Sequence, residues 1–190
     1  MKRLNLFLAV TVLAFGAFFS SCTPDTPVQE VALTAVASST TIYCTLADGS
    51  TNSTCASADG TTYSPKTATA TQQAKVDFVY FNLSGTSYGI YSPSSIPTVI
   101  NTTTNNFVNW TTKNTTYFSK TTDIFSSATN VSDIQTIADA ATSTSVTGLA
   151  ANDVVVFKTA AGKVGLFKVV SITTGYGATD KVVVDIKVEP

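Results

Sequence analysis

The sequence predicts a mainly β protein: an antiparallel β-sandwich or barrel-like sheet with one short α-helix, preceded by a signal peptide. Three observations carry this expectation. Charged residues make up only 12% of the 190-residue chain, while Ser, Thr, Ala and Val abound, and low charge with many β-branched residues favours strands over exposed helices. Apolar residues recur at every second position in several stretches, most clearly in "KVVVDIKV", where Val182, Val184, Ile186 and Val188 fall on one face. A single segment carries the 3.6-residue period of an amphipathic helix.

The chain opens with the layout of an export signal. Lys2 and Arg3 form a positive start, Leu4 to Phe19 an apolar core broken by Asn5, Thr11 and Gly16, and Ser20-Ser21 a small-residue exit. The apolar run is shorter than the roughly 20 residues a spanning helix needs, which makes a permanent membrane helix the weaker alternative. Ser20 and Ser21 directly before Cys22 resemble a lipobox, so residues 1–21 are expected to be a lipoprotein signal peptide and Cys22 the lipidated residue. A plain secretory cut nearby is the other alternative. Acyl chains on Cys22 would hold the protein at a membrane in the cell envelope, with the outer membrane the expected address, facing the periplasm or the surface. Residues 22–30, rich in Thr, Pro and Asp, read as a flexible tether. Residues 31–190 are enough for a single β-rich domain with its own core.

The elements follow in order. "VALTAV" and "TTIYCTL" alternate with period two and suit half-buried strands. The stretch from Ala56 to Lys75 is polar and turn-rich, with room for a short helical or extended piece. "VDFVYFN", residues 76–82, is nearly continuous in apolar residues and reads as a strand buried on both faces. "YGIYSPSSIPTVI" returns in extended form, with Pro93 and Pro97 restricting pairing to edges or loops. The next stretch is a loop up to a strand from about Thr115. In "NVSDIQTIADAAT", Ser132 is placed to cap a helix, Gln135 follows three residues on as in a capping box, and Val131, Ile134, Ile137 and Ala138 share one side. "DVVVFKTA", "KVGLFKVVSI" and "KVVVDIKVEP" then predict a three-stranded antiparallel meander, its first two runs joined through Ala161-Gly162.

Charge and composition exclude several functions. Cleavage after residue 21 removes Lys2 and Arg3 from the 11 basic residues, leaving 9 lysines against 12 acidic residues, a net charge of −3 and no arginine. Such a chain lacks the basic footprint of a nucleic-acid binder. Histidine is absent, which removes Ser-His-Asp and Cys-His catalysis and the His-based zinc, copper and iron sites. Neither a metal nor a cofactor is expected.

Cys44 and Cys55 remain once Cys22 is lipidated, and thiols of exported chains tend to pair. Asp48-Gly49-Ser50 between them is a turn signal, so a Cys44–Cys55 disulfide on facing strands or a long hairpin loop is expected, worth on the order of 3 kcal/mol. Two free buried thiols are the alternative.

Among the carboxylates, Asp77 and Asp153 precede apolar strands, where a raised pKa would mark acid–base chemistry; partly wet strand ends are the plainer reading. Asp48, Asp59 and Asp180 read as turn residues bonded to their own backbone. Trp110, Tyr88, Tyr91 and Tyr117, with Tyr176, could form a stacking platform for sugars. Against that stands Trp110 as a core anchor with its indole N–H on a loop carbonyl.

"VDFVYFN", "IYSPSSIP", "NWTTKNTTYF", "DVVVFKTAAGKVGLFKVVSI" and "VVVDIKV" together resemble a group of Bacteroidota-type cell-envelope lipoproteins with a domain of unknown function, over roughly residues 60–190. The resemblance implies location and fold and carries no chemistry. The expected function is therefore a lipid-anchored envelope protein, not an enzyme, with a structural, adhesion or assembly role, its partners being the membrane and envelope proteins or glycans. The alternative is a glycan-binding accessory lipoprotein using exposed aromatics around Trp110.

Overall fold

Valine, threonine and aromatic side chains at alternating positions favour extended chain, because each can pack on its own side of a pleated sheet. The computed structural model describes residues 29–45, 49–82, 88–175 and 179–190, and within them the strands form two five-stranded antiparallel sheets. The first runs β1 (Thr34–Tyr43), β10 (Lys181–Val188), β9 (Val164–Thr173), β8 (Val154–Lys158) and β6 (Tyr117–Thr121). The second runs β3 (Thr62–Tyr63), β2 (Thr54–Cys55), β4 (Phe78–Asn82), β5 (Tyr88–Tyr91) and β7 (Ser145–Thr147). The predicted β-sandwich is the architecture found.

The C-terminal meander forms as expected. β10 pairs with β9 and β9 with β8, all antiparallel, and β10 alternates without a break between buried and half-buried residues. In the β8–β9 turn Thr159 N–H donates to Lys163 O at 2.9 Å, and Gly162 takes φ of 84°, a conformation that favours glycine. Gly165 is required for a different reason: a Cβ there would lie 2.4 Å from the Phe157 ring and 2.6 Å from Lys187 O.

The two N-terminal alternating runs are one strand, β1, with irregular register between Ala35 and Thr40. Ser39 sits at the irregularity with φ of 56°, and its N–H donates to Asp185 Oδ1 at 2.7 Å. The bulge keeps both runs facing the core on either side of it.

Three apolar clusters explain which strands are buried on both faces. Between the sheets Phe78 meets the rings of Phe157, Phe167 and Phe118 at 4.9, 5.6 and 5.8 Å, with Tyr80, Ile42, Val184 and Ile186 around them. Val79, pointing the other way from β4, joins Tyr91, Phe107 and Trp110 under the loops of residues 92–116. Val154 and Val156 of β8 likewise turn away from the sandwich to meet Ile134 and Ala138 of α2 (Ser132–Ala140), the longer of two α-helices among the described residues, after the one-turn α1 (Ala70–Gln73).

Helix α2 lies where its period placed it, but the expected capping box is not what closes it. Val131 precedes it in helical conformation without a side-chain cap. The Asp133 carboxylate instead reaches back and accepts from Thr129 N–H at 2.8 Å and Asn130 N–H at 2.9 Å. Ser132 donates to Glu30 and Gln135 to Asp139. The chain enters this helix from a β-bridge between Ala32 and Asn130, so the open N–H groups lie earlier than Ser132 can serve.

The expected disulfide is not formed: Cys44 and Cys55 are free and buried. The pairing that would have brought them together is absent, since β1 pairs with β10 while β2 pairs with β3 and β4. Cys44 N–H donates to Asp180 O at 2.8 Å, tying its segment to the start of β10. Burial is the main cause that pushes the Cys44 thiol up to about 11, and burial raises Cys55 further.

A candidate binding cleft at one end of the sandwich

Where the β2–β4 ladder ends, a side chain carries it on. Asp77 N–H donates to Cys55 O at 2.9 Å, and the next donor on the opposite strand, Ser57 N–H, finds the Asp77 carboxylate instead of a backbone carbonyl. Ser57 N–H and Ser57 Oγ–H both donate to Asp77 Oδ2, at 3.1 and 2.6 Å. The carbonyl this leaves over, Val76 O, accepts from Asn114 Nδ2 at 2.9 Å, and the same amide also serves Ala74 O at 2.9 Å. The side-chain bonds to Ser57 N–H and Val76 O satisfy backbone groups that the end of the ladder would leave open.

These residues line a cleft of about 350 Å³. One wall is the segment after β2, from Ala56 to Asp59; another is Ala74 and Lys75; the β8–β9 turn closes the third with Thr159, Ala160, Ala161 and Lys163. Lys163 Nζ donates to Pro190 O, and this contact fixes the turn to the chain end. Asp77 is 8% exposed, and burial pushes its carboxyl above the ordinary value of 3.8 against the opposing effect of the Ser57 bonds. Among the described residues Asp77 Oδ1 accepts no hydrogen bond and no cation forms an ion pair with the carboxylate.

A hydroxyl 2.6 Å from a carboxylate has the spacing of a nucleophile and its base. Here the same oxygen also takes the Ser57 N–H, so the pair serves as a backbone clamp, and Oδ1 is the oxygen left over in a residue that lines the cleft.

Across the β8–β9 turn lies a second hollow of about 520 Å³, sharing Thr159 and Ala160 with the first and bordered by Tyr117, Asp139 and Lys158. Lys158 Nζ pairs with Asp139 Oδ1 at 2.7 Å, and this bond, with that from Gln135, holds the exposed Asp139 carboxyl below its usual range.

No family model and no curated protein matches the chain. Among solved structures it is similar to a DUF4466 family protein from Parabacteroides merdae, with a TM-score of 0.54 and 19% identity over 80% of this chain. The likeness is one of fold. The match covers 52% of that protein, so this chain spans about half of its neighbour's length. That neighbour comes from a member of the Bacteroidota and has a domain of unknown function, in agreement with the resemblance to a domain of unknown function seen in the sequence.

Among the described residues the predicted aromatics do not share one exposed face. Trp110 is 5% exposed, stacks 4.8 Å from Phe107 and donates from Nε1 to Pro65 O at 3.0 Å. It is the core anchor, because the outer face of β4 needs an apolar cover. Tyr91 is buried in the same cluster, and Tyr88 is half-buried against the inter-sheet core. Tyr117 is 39% exposed and borders the second hollow alone among these aromatics. Cys22, Asp48 and Tyr176 lie outside the described residues.

The carboxylates divide. Asp153 pairs with Lys120 at 2.7 Å and Asp59 accepts from Thr61 N–H as a turn residue should. Asp180, expected in a turn, is buried and accepts from Tyr80 Oη at 2.8 Å and Asn82 Nδ2 at 2.6 Å, linking the start of β10 to β4 of the other sheet. Asp77 was legible as a carboxylate beside a core, though not its burial. Ser57 and Asn114 carried no signal, since both sit in Ser/Thr/Asn-rich stretches where any residue could be the partner.

Proposed function

We propose that the chain is a lipid-anchored protein of the cell envelope, held through Cys22, that acts by contact and not by catalysis, in a structural, adhesion or assembly role. The contact surface is the end of the sandwich built around the β8–β9 turn. The observation that carries this reading is the pair of adjoining hollows sharing Thr159 and Ala160. They give one continuous relief on both sides of a hairpin, and the Ser57 and Asn114 side chains along it are bonded into the fold itself. The lipobox-like Ser20-Ser21-Cys22 supports the anchor.

Intact mass from native membranes and crosslinking in cells test the two halves. A chain beginning at Cys22 with acyl groups supports the anchor, and an unmodified or uncut chain sinks it. A photocrosslinker at Ala160 is expected to capture an envelope partner, while the same group at the exposed Val170 on β9 captures none. No adduct at Ala160, or equal adducts at both positions, rejects the contact surface.

A further inference from the structure

We propose that the cleft at Ser57 and Asp77 binds a small zwitterion, an amino acid or short peptide, with its ammonium on Asp77 Oδ1 and its carboxylate toward Lys75. This deepens the contact reading by giving that end of the sandwich a ligand.

The argument starts from an uncompensated group. A carboxylate 8% exposed has lost most of its hydration, and its Oδ2 is spent on Ser57. Oδ1 has no donor and no cation on it among the described residues, and Asp77 lines a cavity of about 350 Å³. Buried charge is costly unless paired and hydrogen-bonded. An ammonium supplies both, as a full counter-charge with three N–H donors.

The other end of the ligand follows from the rim. Lys75 and Lys163 border the same cleft, and Lys163 is already held by Pro190 O. The Lys75 ammonium makes no hydrogen bond or ion pair among the described residues; only its backbone N–H is bonded, to Gln72 O at 3.0 Å. With Asp59 also on the rim, the cleft carries two acidic and two basic side chains, a balance that suits a ligand of both signs better than a simple cation. Alanine walls, including Ala56, Ala74 and Ala161, leave volume for a ligand of about two small residues and offer no aromatic face for a sugar ring.

The test is an NMR titration of the full mature chain with L-alanyl-L-alanine, its N-acetyl form and its C-terminal amide. Saturable shifts of the Ser57 and Asp77 amides with the free dipeptide are expected. N-acetylation and, separately, Asp77→Asn should each weaken binding about tenfold or more, and the amide or Lys75→Met by a smaller factor, tenfold being about 1.4 kcal/mol. Binding should also weaken as the pH falls and Asp77 takes up a proton. Asp77→Asn keeps an acceptor for Ser57, so it remains a folded control, and Ser57→Ala provides a second variant that should retain the ammonium preference. Absence of saturable shifts with the free dipeptide overturns the proposal, as does equal binding of the N-acetyl form or an unchanged affinity in Asp77→Asn. Such a failure leaves the crosslinking result at Ala160 standing, and a missing crosslink leaves dipeptide binding standing.

Discussion

Asp77 places a carboxyl where water barely reaches, and its pH behaviour follows with a definite sign. Burial raises the carboxyl above 3.8 in the folded chain. A group raised by folding contributes stability that is fully present below its unfolded value and is lost as the pH climbs through its folded value. The contribution of Asp77 to stability should therefore fall between acid and neutral pH, opposite in sign to that of the lowered Asp133 and Asp139 carboxyls, and Asp77→Asn should lack it. In thermal unfolding across that range, the melting temperature of Asp77→Asn should rise above wild type progressively as pH increases; a constant difference would show that the charge carries no such cost. Residue type alone exposed this much: an aspartate at the head of an apolar strand. Its partner Ser57 lies 20 positions earlier, and neither spacing nor period ties the two together.

Helix α2 shows the same division at the scale of an element. Ile134 and Ala138 are fully buried against β8 as their spacing demands, because a nine-residue helix persists only if it packs. Its cap was not readable from the Ser-x-x-Gln pattern, since the direction from which the chain enters decides which N–H groups are open. Asp133→Ala should lower the midpoint of urea unfolding, since it removes the acceptor of two backbone N–H groups, whereas Ser132→Ala should change it by less; the reverse order would restore the capping box. Strands β2, β3 and β7 could not be delimited for a related reason. Two or three residues hold no period, and each exists only because a neighbour offers ladder bonds. The longer β8, β9 and β10 state their own alternation and were legible throughout.

For the whole molecule, the sheets are joined by more than apolar packing. Tyr80 and Asn82 of one sheet donate to Asp180, whose own backbone carbonyl accepts from Cys44 N–H. Asp180 thereby fastens β4, β10 and the end of β1 at a single point. Asp180→Ala should strip two buried or half-buried donors of their acceptor and cost about 1–3 kcal/mol for each one left buried and unmatched, read as a lower midpoint in urea; an unchanged midpoint would mean the sheets are held by the core alone. The sequence by itself determined the class of fold, the meander, the position of the one amphipathic helix and the absence of histidine chemistry. Those properties are local: they depend on residue type, alternation and composition within a few neighbours. Tertiary structure alone decided that Cys44 and Cys55 stay apart, that Trp110 lies inside, and that Ser57, Asp77 and Asn114 meet the β8–β9 turn in one cleft. Each of those depends on which strands pair over long sequence separations, up to Thr34 with Val188, and pairing is settled by the packing of the two sheets together.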